Sequence, residues 1–371
     1  MRKTFLPGGA VFALAWGCSS TVTVLESASS AGGAASVSQS ASVASTGTGN
    51  GAAGPVTSTT VSVGTGGMGG MPACVPTTGP TLEAAELYLG DSDWSGQKSN
   101  DAWQLFGRNV DGKSFDKNNT IGHCKLHAGA PASVAYDAPN GVDNSFGRHF
   151  IPLLESVSWQ SPAANAKTFV QNGFTVLLEL AGLGNASDKS PLIAAYYVGS
   201  KNINPLPKFD GSDCLRLDSY AGVPAALFTS ATIVGNHFNS LTPVTLKFPL
   251  HQSDPYLWQP FYLTIHQATI SVVLSADHQS GKLGIVSGVL DREQFIEAYR
   301  QLQGGVSKGL CSGSAWDATA EQLRQFADVM VDGTQDANKE CNGISIGIGF
   351  TMVASGLGQT GPYGGPPTPC Q

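Results

Sequence analysis

Phe261 to Leu274 (FYLTIHQATISVVL) and Ile344 to Val353 (ISIGIGFTMV) decide how this chain is read. The second run alternates cleanly, which puts every other side chain on one face of a strand. The first is apolar and long enough for one bent strand or two. Outward from these, Phe174–Ala181, Leu192–Val198, Thr229–Val234, Val244–Leu250 and Leu283–Leu290 are further apolar or alternating runs, with turn residues between them. Glu86–Leu89 and Ala102–Val110 read as strands as well. Helices are fewer. Asp143 is placed to cap one running towards Glu155, and Ala163–Asn172 is a second that stops at Gly173. Asp291 with Gln294 forms a capping box for a third, ended by Gly304 and Gly305. Asp317 caps a fourth, which runs towards Gly333. Many strands at short spacing without regular β-α alternation argue for antiparallel pairing. The expected fold is mainly β, β-sandwich-like and antiparallel, or α+β, with a helical pair inserted before the last strand.

The N-terminus reads as an address. Arg2 and Lys3 precede a short apolar core, Ala10–Trp16, and then Gly17 and Cys18. The cysteine after a small residue fits a bacterial lipoprotein signal over residues 1–18, with Cys18 lipidated; an ordinary signal cleaved after Ala15 is the alternative. Between Glu26 and Glu83 there is no Asp, Glu, Lys or Arg. Such a Ser/Thr/Gly/Ala composition cannot bury a core, so residues 19–80 are expected to be a disordered tether and residues 81–371 a single disulfide-bonded domain. The protein is expected to be exported to the cell envelope, anchored to the outer membrane or extracellular. A net charge of -7 argues against nucleic acid, whose phosphates demand a basic surface.

Seven cysteines are an odd number, and setting Cys18 aside leaves six. An even number in an exported chain points to disulfides. Cys311 and Cys341 bracket a predicted helix and are expected to pair. Cys74 and Cys370, both in Pro/Gly-rich tails, would tie the ends together, leaving Cys124 with Cys214.

Candidate chemistry is sparse. Gly343-Ile344-Ser345-Ile346-Gly347 matches the nucleophile elbow of α/β-hydrolases, but the serine lies inside an alternating strand and no histidine follows it. The glycines there are better read as marks of a bulge or of close packing. His123 and His127 flank Cys124 and are expected to be exposed loop residues. Asp91-Ser92-Asp93-Trp94-Ser95-Gly96 opens like a calcium loop, yet the twelfth position is Ala102 where an EF-hand needs Glu. Asp91, Asp93, Asp111 and Asp143 could together supply oxygen ligands to calcium, or could simply form turns. No catalytic residue is assigned, and no cofactor other than calcium is considered. The tryptophans and tyrosines, Trp94, Trp103 and Tyr196 among them, are read as core rather than as a sugar-stacking platform.

Tyr88-Leu89-Gly90-Asp91, Gly107-Arg108-Asn109-Val110-Asp111-Gly112-Lys113, Cys124, Gly141–Gly147 (GVDNSFG) and Cys341–Phe350 (CNGISIGIGF) form a series. On these stretches the chain resembles a group of uncharacterised exported lipoproteins of myxobacteria. The resemblance implies compartment and architecture and brings no activity. The resulting expectation is a non-catalytic binding or structural domain tethered at the cell surface. Its partner would be a glycan or a protein, and its membrane contact would be the lipid anchor alone. The alternative is an exported hydrolase acting on polysaccharide, with carboxylates drawn from the Asp-rich loops; it requires that at least two of them converge.

Overall fold

The computed structural model describes residues 74–157, 161–200, 206–250, 261–361 and 365–371. The signal segment, Cys18 and the tether up to residue 73 lie outside the described residues, as do Trp159, Tyr256 and Trp258. In chain order the elements are β1 (Thr81–Tyr88), a π-helical turn (Phe146–Phe150), α1 (Ile151–Val157), α2 (Pro162–Gln171), β2 (Val176–Ala181), β3 (Lys189–Val198), β4 (Cys214–Asp218) and β5 (Ala226–Val234). They continue with β6 (His237–Asn239), β7 (Val244–Leu250), β8 (Phe261–Leu274), β9 (Ser280–Asp291), α3 (Arg292–Val306), α4 (Ser314–Arg324), β10 (Gly343–Ala354) and β11 (Gly356–Gly361).

The large sheet runs β6-β5-β3-β2-β1-β10-β9-β8-β7, and β6 also pairs with β8. All its pairings are antiparallel. The β6–β8 pairing closes the sheet into a ring of eight strands. β6 takes Ser271–Val273 of β8, and β7 takes the stretch from Phe261 to Ala268 on the same flank. The fold is therefore mainly β and antiparallel, as the alternation predicts, with α3 and α4 inserted before β10 and the short β11 following it. A closed ring and a sandwich both bury one face of every strand, so alternation alone leaves that choice open.

Leu82, Ala84, Leu178, Tyr196, Ile270, Ile346 and Phe350 belong to one continuous apolar core. The lumen is filled by these side chains; a cavity of about 10 Å³ lined by Leu178, Tyr196, Ile270, Val286, Phe350 and Met352 has room for at most one water. Phe146 and Phe150 pack against Phe295 of α3, with ring centroids 6.1 and 4.9 Å apart, beside the end where β9 finishes and β8 and β10 begin. On the outer face, a two-stranded parallel sheet of β4 and β11 covers Leu177, Ala195 and Tyr197 with Leu215, Leu217 and Leu357.

Several local expectations are corrected. Ala102–Leu105 is a 3-10 turn and not a strand, because Ala102, Trp103 and Phe106 bury on a helical spacing. Asp143 caps no helix; its carboxylate is committed to Val110 instead. Asp317 sits inside the first turn of α4, which ends at Arg324 well before Gly333, and α3 runs past Gly304 to Val306. The capping role of Asp291 holds, since its carboxylate accepts from the Gln294 N–H at 2.9 Å. Phe261–Leu274 is one strand, interrupted near Gln267, which has a φ of 52°.

All six described cysteines form disulfides, but the pairs are Cys74–Cys214, Cys124–Cys341 and Cys311–Cys370. The expected Cys311–Cys341, Cys74–Cys370 and Cys124–Cys214 pairs do not occur. The Cys124 segment runs alongside residues 339–341, the Lys125 N–H donating to the Lys339 carbonyl and the Lys125 carbonyl accepting from the Cys341 N–H, and this brings Cys124 to Cys341. The C-terminal tail returns to α3, where Gln301 Oε1 accepts from the Cys370 N–H. Val75 pairs with Leu357 of β11, so Cys74 lies beside β4.

Candidate functional site

Two of the stretches singled out by the sequence, Gly141–Gly147 and Cys341–Phe350, meet on the outer face of β10. Asn144 is almost wholly buried and its amide makes four hydrogen bonds. Nδ2 donates to the carbonyls of Trp103 (2.9 Å) and Gly347 (3.2 Å), and Oδ1 accepts from the N–H groups of Gly147 (3.0 Å) and Gly347 (2.9 Å). β1 reaches only as far as Tyr88, opposite Gly349. The Asn144 amide therefore takes both backbone groups of Gly347 just where the neighbouring strand has run out. Beside it, the Ser145 N–H donates to Ser345 Oγ (2.8 Å) and Ser145 Oγ donates to the Phe326 carbonyl (2.6 Å). Ser345 Oγ donates in turn to Asp328.

The glycines of β10 are spaces, as the sequence suggests. A Cβ on Gly347 would lie 2.3 Å from the Phe106 carbonyl oxygen, and one on Gly349 would lie 2.3 Å from the Phe106 ring. Gly347→Ala is expected to cost about 3 kcal/mol, because the obstacle is backbone and cannot rotate away. A melting temperature within a degree of wild type would refute this.

Four acids gather under the same loop. Asp143 Oδ2 accepts from the Val110 N–H (2.7 Å), and Asp137 Oδ2 accepts from the Phe115 N–H (2.6 Å). Asp111 accepts from the Lys113 N–H and from Gln335 Nε2. Asp328 accepts from the Ser345 N–H and hydroxyl. Burial, ahead of the charges of Asp328, Asp111 and Asp137, pushes the Asp143 carboxyl far up. Burial likewise raises Asp137, offset by the Phe115 N–H and by Asp143. Asp328 is pushed up to about 7, again chiefly by burial. Arg148 faces Asp137 and Asp328, yet its guanidinium donates to the Ser133 and Tyr136 carbonyls and lies over the Trp103 ring.

Of the sequence-predicted oxygen ligands, Asp111 and Asp143 share this cluster. Asp91 and Asp93 answer to other neighbours: Asp91 accepts from the Ala163 N–H at the start of α2, and Asp93 folds back on Ser95 and Gln97. Among the described residues, the one trio of ligand-type side chains within 4.8 Å is His123, Cys124 and Cys341. Its sulfurs are bonded to each other, which removes two of the three donors. His123 is buried and not exposed, against expectation; it packs edge-on to Phe115, and burial lowers its pKa. His127 bridges Glu340 (2.8 Å) and Glu321 (2.7 Å), and Glu340 foremost raises its pKa. Trp103 and Tyr196 are core, and Trp94 packs on Tyr88 and Phe106. The sequence reading missed Asp328 and Gln335. A lone acid within the apolar run Phe326–Met330 was the available signal for the first.

No protein-family model, no curated protein and no solved structure matches this chain.

Proposed function

We propose that this chain is an exported, surface-tethered domain that binds a glycan or a protein at the cell surface, performs no chemistry and is held at the membrane by a lipid on Cys18. The observation that carries the reading is how the conspicuous polar side chains are used. Asn144, Asp111, Asp137, Asp143 and Asp328 are committed to the chain's own backbone or to one another. Groups so employed serve to fix loops, and loops fixed on a rigid ring are a common platform for binding. The Asp137–Asp143 pair favours the second reading, an exported hydrolase acting on polysaccharide, because two neighbouring carboxyls of unequal proton affinity suit acid–base work.

The experiment sets the folded protein against envelope polysaccharides and measures retention and release of reducing ends together. Retention without release is expected. Release that Asp137→Asn abolishes, with an unchanged melting curve, would replace the binding reading with the hydrolase. Calcium at Asp111 and Asp143 is tested by melts with the ion and with a chelator. No shift is expected, because these oxygens already accept backbone N–H groups; a clear rise would restore the calcium site.

A further inference from the structure

A second acid pair lies away from this cluster. Glu83 sits in β1 between Leu177 of β2 and Val353 of β10. Directly paired residues share a face, so Glu83 points with Leu177 towards the β4–β11 sheet. It is 0% exposed, and neither carboxyl oxygen has a well-formed hydrogen bond; the nearby Ser355 hydroxyl, which acts to lower its pKa, donates to the carbonyls of Asp213 and Gly356. Across from it stands Asp213, the residue before Cys214. Asp213 is differently placed: its carboxylate accepts from the backbone N–H groups of Lys208 (2.9 Å) and Phe209 (2.6 Å). Its carbonyl accepts from the Gly356 N–H, which ties it to β11.

The other charged or titratable groups around Glu83 do not neutralise it. From β2, Glu179 is committed to Thr78 and to the Tyr197 hydroxyl of β3. From the loop before β4 come Asp210 and Asp213 as further negative charges, with Lys208 beside Asp210. β4 presents Leu215 and Leu217 to this face. Among the described residues no ion pair includes Glu83 or Asp213. An ionised carboxylate buried without a donor is untenable, whereas a carboxylic acid can donate to its neighbour.

We propose that Glu83 and Asp213 share one proton, and that this proton fastens the β4–β11 sheet, with the Cys74–Cys214 disulfide it carries, onto the ring. Two backbone amides already hold the Asp213 carboxylate as an acceptor; Glu83 keeps the proton and donates it. Burial first, then the charge of Asp213, pushes Glu83 up to about 9 from an ordinary 4.5. The sign follows from linkage. Between these values the folded chain holds a proton that the unfolded chain has lost, so this group's contribution is complete below about pH 4.5 and declines as pH rises to about 9. The fastening tightens in acid and loosens in alkali.

Two measurements test this. Glu83→Gln keeps the shape and a permanent donor to Asp213. Its melting temperature should match wild type near pH 4.5 and exceed it by several degrees at pH 8. A variant less stable than wild type at every pH would overturn the proposal. On the wild-type protein, infrared difference spectra with isotope-labelled glutamate should show one protonated glutamate at pH 7 that disappears above about pH 9. Absence of that band at pH 7, or a calcium-dependent rise in melting temperature that Glu83→Gln removes, would mean that the pair holds no proton or holds a metal ion instead.

Discussion

Asn144→Ala is expected to destabilise the protein by about 4 kcal/mol, a large share of the 5–15 kcal/mol typical of a folded domain. The expectation rests on four backbone groups that the side chain alone satisfies from its side: the carbonyls of Trp103 and Gly347 and the N–H groups of Gly147 and Gly347. Their site is buried, so water cannot take over without opening the loop. A buried group left without a partner costs about 1–3 kcal/mol. Asn144→Asp should be nearly as damaging, since it keeps the two acceptor roles and turns an anionic oxygen towards the two carbonyls. Urea unfolding at neutral pH measures both. A loss under about 1 kcal/mol for the alanine variant would mean that the loop repacks and the amide is no substitute for a strand.

The second large effect is expected at Cys124–Cys341. The two residues are 217 apart in sequence, and both are buried. Closing a loop of that size removes unfolded-state entropy worth about 5 kcal/mol in the chain-entropy account. The paired Cys124→Ala, Cys341→Ala variant should lose that amount, with a further contribution from the space left behind. Removing Cys311–Cys370, which spans 59 residues and is only half-buried, should cost less. The reverse order in denaturant midpoints would show that native packing, and not loop closure, sets the contribution.

What could be read in advance divides by range. Ile344–Val353 and Phe261–Leu274 were legible as strands because alternation and apolar content are local. Ala102–Val110 was misread because Trp103 and Phe106 are apolar at a spacing that suits a turn as well as a strand. Ring closure was not legible, since it depends on three residues of β6 meeting β8. The candidate site was half legible. Asp111 and Asp143 stand out in turn-rich segments, but Asp328, Gln335 and Ser345 join them from some 200 residues away. The disulfide partners fail for the same reason: spacing along a chain carries no information on which tail returns to which helix.

The attachment at Cys74 also fixes a load path. A pull arriving along the chain from the N-terminal side of Cys74 meets the Cys74–Cys214 bond before it meets β1. The force passes covalently into β4, which is paired with β11 and bonded to the end of β3, before it loads β1. With the disulfide reduced, the same pull reaches β1 through hydrogen bonds only, those of Val75 with Leu357 and of Thr78 and Pro80 with Glu179, Leu180 and Gly182. Oxidation at a single bond thus adds a covalent route for traction at this end beside the hydrogen-bonded one.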